Sequence, residues 1–456
     1  MSWAAQELAG VELGDRRLER RSVKILEQLG DQPTQRTPTA CGGWSETLAA
    51  YRLFRNEKVT PEQILAPHRE STLERMREHP VVICPADTTE FDYTNQQKFM
   101  QGLGPLTYEN QRGQKGHFLL AVTPDGVPLG VLGADLWARS DEHFGERELC
   151  AKKQVKDKES GRWVAMLSHC KELAARCPAT RVIYVADREA DIHELLLEAT
   201  DGKVDCVIRS QNDRAQPDED PSIRNAVRGQ EPLGDIEFDI PTTPKRRGRH
   251  VKASVRSATV TLRGPRRPGG GCLADITVNL VHVREQDCPE GEELIEWFLL
   301  TTLAVGTLEQ ALRVIEIYRC RWTIEVFFRV LKTGCRVEQM QFHHIDRVRT
   351  ALAFYLVIAW RVLFLTLLGR KSPQLPCDAV FATEEWHAIY IVARRQPPPK
   401  DPLPLDDVIR MMARFGGFLN RKNDGFPGPQ AIWVGLQRAR DFALAMEAQK
   451  QAARCV

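Results

Sequence analysis

Apolar runs of strand length alternate with stretches of helical length between Val81 and Ile208, and this alternation limits the fold more than any other feature. Short runs with strand character occur at 81–84, 118–123, 127–132, 182–185 and 204–208, and helical patterns at 161–175 and 190–199 separate the later ones. Strands and helices that alternate in this way form an α/β sheet with helices against its faces. The sequence therefore predicts an α/β fold here.

The segment from 210 to 305 has a different pattern. Alternating apolar and polar runs at 236–240, 253–262, 274–283 and 296–302 predict strands, so we expect a β-rich insertion within the α/β domain. Nine Lys or Arg residues and no Asp or Glu lie between Pro241 and Gly271, although the net charge of the whole chain is only +2. A nucleic acid would therefore be bound by local patches such as this one.

The first sixty residues predict helices on either side of a loop at 30–43 that is rich in Thr and Pro. The first helix carries five basic side chains and an apolar stripe, and the second lies around Ser45–Arg55. Two short helices with a basic face either bind DNA phosphates or form a solvated bundle, and both interpretations stay open.

The run from Ala351 to Leu368 is apolar for 18 residues, which is close to the length of a membrane span. Because Arg361 lies in its middle and no second such run exists, we expect a buried core helix. The twelve cysteines form no Cys-x-x-Cys pair, which favours free thiols in a reducing compartment over zinc or disulfides. With no secretory pattern at the N-terminus, the expected location is the cytoplasm.

Two acids follow short apolar runs, Asp87 after 81–86 and Asp187 after 182–186. In α/β sheets, functional sites assemble at the carboxyl ends of strands, so acids there can face a cleft. Taken singly, each acid is better explained as a turn former or a helix cap than as a site residue.

A third acid lies on a stretch that predicts one helix from Thr307 to Lys332. On a regular helix, the spacings +3, +4 and +7 put four functional side chains within an arc of about 60°: Tyr318, Arg321, Glu325 and Lys332. A salt-bridged solvent face is the plain alternative, although a solvent face has no need of a tyrosine.

Three carboxylates from separate segments are what a two-metal phosphodiester site requires. Mg²⁺ prefers oxygen ligands and keeps several waters, so a few carboxylates and a substrate phosphate can complete two ions. One ion then activates the attacking oxygen and the other stabilises the leaving oxygen. Adjacent Arg and Lys side chains would hold the negatively charged strand.

Three motifs, taken together, carry a resemblance to a known family: Asp87-Thr88-Thr89, Asp187-Arg-Glu-Ala-Asp-Ile-His193, and Tyr318-x-x-Arg321-Trp322-x-x-Glu325-x-x-x-x-x-x-Lys332. The chain resembles the DDE cut-and-paste transposases of bacterial insertion sequences, in the insertion-sequence-four branch with its Tyr-Arg-Glu-Lys signature. The likeness extends over nearly the whole chain. One departure is Phe327-Phe328-Arg329, where close relatives often carry a histidine.

The resemblance implies a ribonuclease-H-like core with the β-rich insertion between the second and third acids. Asp87, Asp187 and Glu325 would be the catalytic metal ligands for two Mg²⁺ ions per active site, which Mn²⁺ can replace. Tyr318, Arg321 and Lys332 would hold phosphates at the transposon end. Trp297 would stack on a flipped base and Trp322 would act as a wedge. Further DNA contacts are expected from Arg209, Lys245, Arg246, Arg247 and Arg249.

We therefore expect a transposase that forms a homodimer on transposon-end DNA. It would cleave the ends by way of a DNA hairpin intermediate and join the 3′-hydroxyl ends to target DNA. No membrane partner is expected. Expected domains are 1–65 for DNA binding, 66–370 for catalysis with the insertion at about 211–304, and 371–456 for helical dimerisation. A non-catalytic end-binding protein or transposition inhibitor, and a ribonuclease-H-like nuclease without strand transfer, remain alternatives.

Overall fold

The computed structural model describes residues 2–108, 110–141, 153–217, 222–240, 247–268, 271–422 and 424–454. The N-terminal part is helical, with α1 (Trp3–Glu7), α2 (Arg16–Asp31), α3 (Thr37–Ala40), α4 (Trp44–Phe54) and α5 (Pro61–Arg77). Asp15 caps α2 by accepting a hydrogen bond from the Arg17 amide, and Thr60 and Gln63 form a capping box on α5. Both predicted helical stretches are present, and the predicted loop at 30–43 contains the short helix α3.

A sheet of ten strands runs through the described molecule. The strands are β1 (Val81–Asp92), β2 (Gly104–Pro105), β3 (Arg112–Val122), β4 (Pro128–Trp137), β5 (Arg181–Ala186), β6 (Asp205–Arg209), β7 (Gly234–Ile240), β8 (Arg249–Leu262), β9 (Ile276–Glu285) and β10 (Glu296–Thr301). Their order in the sheet is β2-β3-β1-β5-β6-β10-β9-β8-β7, with β4 also paired to β3.

The central strands have the arrangement of a ribonuclease-H-like core. β1, β3 and β4 form an antiparallel meander, whereas β1, β5 and β6 run parallel to one another. The parallel connections pass through α6 (Gly161–Ala174) and α7 (His193–Ala199), which share an apolar cluster with Val82, Tyr184 and Cys206 of these strands. The predicted α/β fold is confirmed.

The β-rich insertion continues the central sheet. After α8 (Ile223–Arg228), β7, β8 and β9 pair as an antiparallel ribbon, and β10 joins that ribbon to β6. The insertion and the core therefore share one hydrogen-bonded sheet, which fixes Trp297 on β10 relative to the strands of the core.

The prediction of a single helix from 307 to 332 is wrong. The segment consists of α9 (Leu308–Arg319), α10 (Trp322–Arg329) and a π-helical turn at Val330–Gly334. Between the helices, the Arg321 amide bonds to the Tyr318 carbonyl at three-residue spacing, which tightens the chain. At the far end, the Cys335 amide reaches the Val330 carbonyl at 2.8 Å across five residues, which widens it. The regular 100° spacing therefore fails on both sides of Glu325.

The longest apolar helix is α11 (Ile345–Lys371). It is long and apolar enough to cross a membrane, but 78% of its most apolar 18-residue window is buried inside the protein. It packs against N-terminal and catalytic elements in one large core, as expected for a core helix. α12 (Thr383–Arg394), α13 (Leu405–Phe415) and α14 (Pro429–Arg454) follow, and Ile432, Ala439 and Ala443 of α14 are buried within this chain.

Candidate active site

The register of the parallel strands brings the first two acids together. β1 and β5 are paired as far as Pro85 and Val185, and each acid follows its paired residue by two positions. Asp187 directly follows β5, as predicted. Asp87 was expected after the end of its strand, but it lies within β1, because the strand continues to Asp92 by pairing with β3. Asp87 therefore lies where β1 separates from β5.

Arg321 connects the third acid to the first. Its Nη1 donates to Asp87 Oδ2 at 2.7 Å and to Glu325 Oε1 at 3.2 Å. The Arg321 and Asp87 side chains are 9% and 11% exposed, so water and salt screen their charge-assisted bond less than a surface ion pair. The Glu325 side chain is 41% exposed. The tight turn before α10 points this guanidinium toward the sheet, so the interruption of the helix has a role in the site.

The carboxylates repel one another at this point. Burial, followed by the charge of Asp187, raises the pKa of Asp87 to about 7, and Glu325 contributes in the same direction. Arg321 opposes the shift because its positive charge favours the ionised carboxylate. A further cation at this position would relieve the same repulsion.

The donor set therefore fits a divalent metal ion. Within the described ranges, no three His, Cys, Asp or Glu side chains already form a close ligand set. At the three acids, the Arg321 guanidinium lies against Asp87 and Glu325 as the cationic partner. Carboxylate oxygens are the ligands that Mg²⁺ prefers. Asp87, Asp187 and Glu325 could hold such an ion once Arg321 moves from between them.

Tyr318 and Lys332 belong to the elements before and after α10, the helix that carries Glu325. Tyr318 is 5% exposed and packs in the apolar cluster under the insertion, so only a small part of it reaches solvent. Lys332 lies in the π-helical turn, with its Nζ 3.9 Å from Glu338 and 5.6 Å from the Phe91 ring centre. Burial lowers the pKa of Lys332. Both side chains border the site, but they do not share one face of a regular helix with Glu325, as the spacing had predicted.

The two tryptophans differ in exposure. Trp297 is half-buried, stacks on Phe238 with ring centres 5.7 Å apart and lies 6.1 Å from the ring centre of Tyr318. Trp322 is 62% exposed, with the Arg321 guanidinium 5.6 Å from its ring centre. The structure brings Trp297 next to Tyr318, and it leaves Trp322 free to contact a ligand from outside.

The predicted basic contacts are placed unevenly. Arg209 ends β6 and donates to the Glu296 carbonyl at 3.5 Å. Arg247 is exposed. Arg249 is only 12% exposed and pairs with Glu285 at 2.8 Å, so its charge is already used within the protein. Lys245 and Arg246 lie outside the described residues.

Sequence reasoning missed His117, which lies opposite Thr88 on β3. Its Nδ1 is 2.9 Å from the Thr88 hydroxyl, and its ring lies 4.3 Å from that of Trp163. The ring is fully buried and contacts Thr88, the residue after Asp87, so it supports β1 next to this acid. A lone histidine in the run from Gly116 to Val122 was the signal in the sequence.

Three families of known proteins match successive parts of the chain. Residues 1–59 match the family described as transposase DNA-binding, residues 103–361 match the transposase DDE domain, and residues 357–454 match the transposase Tn5 dimerisation domain. Asp87 precedes the matched DDE range, whereas Asp187 and Glu325 lie within it.

Among solved structures, the chain is similar to a piggyBac transposase synaptic complex with hairpin DNA, determined by cryo-electron microscopy. The identity is 9% and the TM-score 0.37, over 78% of this chain and 67% of that one. The DDE domain match covers more than half of the 456 residues and agrees with the ribonuclease-H-like core. The chain belongs to the DDE transposase family, as an enzyme similar to the Tn5 transposases that cleaves DNA and transfers DNA strands.

Proposed function

We propose that this transposase cuts transposon-end DNA with Asp87, Asp187 and Glu325 as the ligands of two Mg²⁺ ions, which Mn²⁺ can replace. DDE transposase domains depend on divalent metal ions. We propose the identity of the ion, the number of ions and the three residues that bind them. The observation that carries this proposal is the pair of hydrogen bonds from Arg321 to Asp87 and Glu325, beside a pKa of about 7 at Asp87 to which the charge of Asp187 contributes.

The bound ions would supply activation of the attacking oxygen and stabilisation of the leaving oxygen in an in-line displacement. The protein's own residues bind and orient the DNA. Arg321 has the geometry to exchange its two carboxylate partners for a phosphate oxygen, since a guanidinium binds either anion. Lys332 supplies a second cation from the π-helical turn, and Tyr318 a hydroxyl at the edge of the site.

The proposed reaction uses one displacement chemistry with successive nucleophiles. Water first nicks each transposon end, and the released 3′-hydroxyl attacks the opposite strand to form a hairpin. A second water opens the hairpin, and the 3′-hydroxyl then attacks target DNA. Trp297 supports the hairpin step, because a half-buried indole beside Tyr318 offers a surface on which a flipped base can stack. Exposed Trp322 is the proposed wedge.

The protein binds DNA through the N-terminal family region and dimerises through the C-terminal one. We further propose that two transposon ends are paired within the dimer and joined to target DNA, in the bacterial cytoplasm at the nucleoid. Arg209 and Arg247 are the proposed additional DNA contacts. The boundaries 1–65, 66–370 and 371–456 are proposed for the three domains.

Glu325→Gln tests the metal-ligand assignment directly. The purified protein is incubated with Mg²⁺ and a linear duplex carrying the ends that flank its own gene, and the products are separated on a denaturing gel. We expect cleavage to fall at least about 100-fold, because the neutral amide is a poor ligand for Mg²⁺. Glu316→Gln is the matched control, since Glu316 is exposed on α9 and should leave cleavage unchanged.

Three outcomes separate the alternatives. Normal cleavage by folded Glu325→Gln protein would contradict the assignment. Metal-dependent nicks from the wild-type protein, without joining of pre-cut ends to target DNA, would indicate a nuclease. Salt-sensitive binding without any cutting would indicate an end-binding regulator.

A further inference from the structure

Asp191 is a buried carboxylate whose two oxygens are both occupied. Its side chain is 0% exposed. Oδ2 accepts hydrogen bonds from the backbone amides of Gln211 at 2.8 Å and Asn212 at 2.9 Å. Oδ1 accepts from Arg214 Nε at 3.1 Å and Nη2 at 2.5 Å, and Nη2 also reaches the Asp191 carbonyl at 2.8 Å. We call these contacts between Asp191 and residues 211–214 the Asp191 clamp.

The clamp joins the ends of two neighbouring parallel strands. β5 and β6 are paired side by side, with Ala186 opposite Ile208. Asp187 follows the first strand, and the loop held by the clamp follows the second and leads into the β-rich insertion. One carboxylate therefore fixes the segment after Asp187 to the entry of the insertion.

The turn that carries Asp187 ends at the clamp. The Glu189 amide donates to Asp187 Oδ1 at 2.9 Å, and the Asp191 amide donates to the Arg188 carbonyl at 3.2 Å. These short-range bonds shape the turn, but they do not tie it to the rest of the protein. Ala190 packs in the core cluster, and the first side chain after Asp187 that forms a hydrogen bond to another segment within the described residues is Asp191. Movement of Asp191 would therefore be passed back to Asp187.

We propose that Asp191 is a positioning residue for Asp187, and that the Asp191 clamp sets the place of this acid relative to the sheet. The inference rests on the proposed function, in which Asp187 is a metal ligand. The clamp needs a carboxylate, because both of its oxygens accept hydrogen bonds, Oδ2 from the Gln211 and Asn212 amides and Oδ1 from Arg214. An asparagine would turn its own NH₂ donor toward one pair of donors and lose those bonds.

The test compares Asp191→Asn with Glu198→Gln. Glu198 lies on the following helix, α7, and pairs with Lys171 of α6 at 3.3 Å, so the control removes an ion pair that does not reach the strand ends. Binding of Mn²⁺ alone is measured by electron paramagnetic resonance, and single-turnover nicking of end DNA is measured separately. We expect Asp191→Asn to raise the Mn²⁺ dissociation constant at least fivefold and slow nicking at least tenfold, with end-DNA binding within twofold of wild type.

Wild-type Mn²⁺ affinity in folded Asp191→Asn protein would overturn the inference, and so would an equal loss of affinity in Glu198→Gln. If Asp191→Asn does not fold, Arg214→Lys keeps the charge but loses the paired geometry, and a smaller rise of the Mn²⁺ dissociation constant is expected. Asp187→Ala separates the two proposals. Unchanged Mn²⁺ binding in that variant would contradict the proposed function itself, whereas loss there with no effect at Asp191 would contradict only the positioning role.

Discussion

At the scale of single residues, Arg321 decides how the acids coexist before a metal ion binds. It donates to Asp87 and Glu325 from a position that is 9% exposed. Without this guanidinium, Asp87 and Glu325 would lose the cation that both carboxylates contact. The residue therefore acts as a counter-charge in the free protein and as a phosphate ligand in the proposed complex.

Replacing Arg321 with glutamine should lower the free energy of unfolding by about 1–3 kcal/mol, because the partners of a partly buried ion pair are left uncompensated. Mg²⁺ should then raise the melting temperature of the variant more than that of the wild type, since the ion would offset the repulsion that Arg321 no longer offsets. Thermal unfolding with and without Mg²⁺ measures both effects. An equal Mg²⁺ response in the two proteins would contradict this role.

His117 makes a pH-dependent contribution to stability. Burial, aided by Arg162, lowers the pKa of His117 to about 3, against an ordinary value near 6.5. The unfolded chain therefore binds a proton that the folded protein rejects, so this contribution is complete above pH 6.5 and is lost as the pH falls toward 3.

His117→Asn should therefore remove part of the acid sensitivity of the fold. Below pH 6.5, the wild type should lose up to about 1.4 kcal/mol per pH unit more than the variant. Urea unfolding of both proteins at pH 7.5 and pH 5.5 measures the difference. Parallel losses in the two proteins would show that His117 is not kept neutral by the fold.

At the scale of elements, the segment from α9 to the π-helical turn connects the site to the C-terminal helices. A Cβ atom placed on Gly334 would lie 2.8 Å from the Trp433 ring of α14, so the chain leaves the turn in close contact with that helix. The catalytic segment and the matched dimerisation region are therefore packed together through a glycine.

Gly334→Ala should destabilise the protein by about 1–3 kcal/mol, since the added methyl group cannot fit without moving the turn or the indole. Gly428→Ala is the matched control, because a Cβ there has no neighbour within 4 Å. Chemical unfolding of both variants gives the comparison. If both variants have the wild-type free energy of unfolding, the packing of Gly334 against Trp433 has room for a methyl group, which would contradict this prediction.

The same segment shows where sequence reasoning ends. The sequence predicted a site role for Tyr318, Arg321, Glu325 and Lys332 from their chemistry, and that role stays a prediction. Their spacing predicted one regular helix because neither interruption contains a proline, and Gly334 comes only at the end of the second. The tight turn at Arg321 comes with a contact to Asp87, 234 residues away in the sequence, which no local pattern contains.

At the scale of the whole molecule, the order of elements was largely predictable, and their assembly was not. Alternating periodicities located the strands of the core and of the insertion, because each segment carries its own apolar pattern. The sequence did not reveal that β10 pairs with β6 to form one sheet, since pairing between distant strands leaves no local signal. The extension of β1 past Asp87 through pairing with β3 was missed for the same reason.

The C-terminal helix offers a test of dimerisation. Ile432, Ala439 and Ala443 of α14 are buried within this chain, but Leu444 is 45% exposed. We predict that Leu444→Glu weakens the complex with two paired DNA ends at least about tenfold, as a charge in an apolar contact costs roughly 1–3 kcal/mol. Binding of a single end should be unchanged. Gln449→Glu adds the same charge on the exposed part of this helix and serves as the control in native gels.

The most direct test of the three-acid site is the product pattern of Asp87→Ala beside that of the wild type, on a denaturing gel with transposon-end duplex and Mg²⁺. We predict nicked and hairpinned ends from the wild-type protein and neither product from folded Asp87→Ala protein, although that variant should still bind the ends. Nicks or hairpins that persist without Asp87 would contradict the assignment of the site.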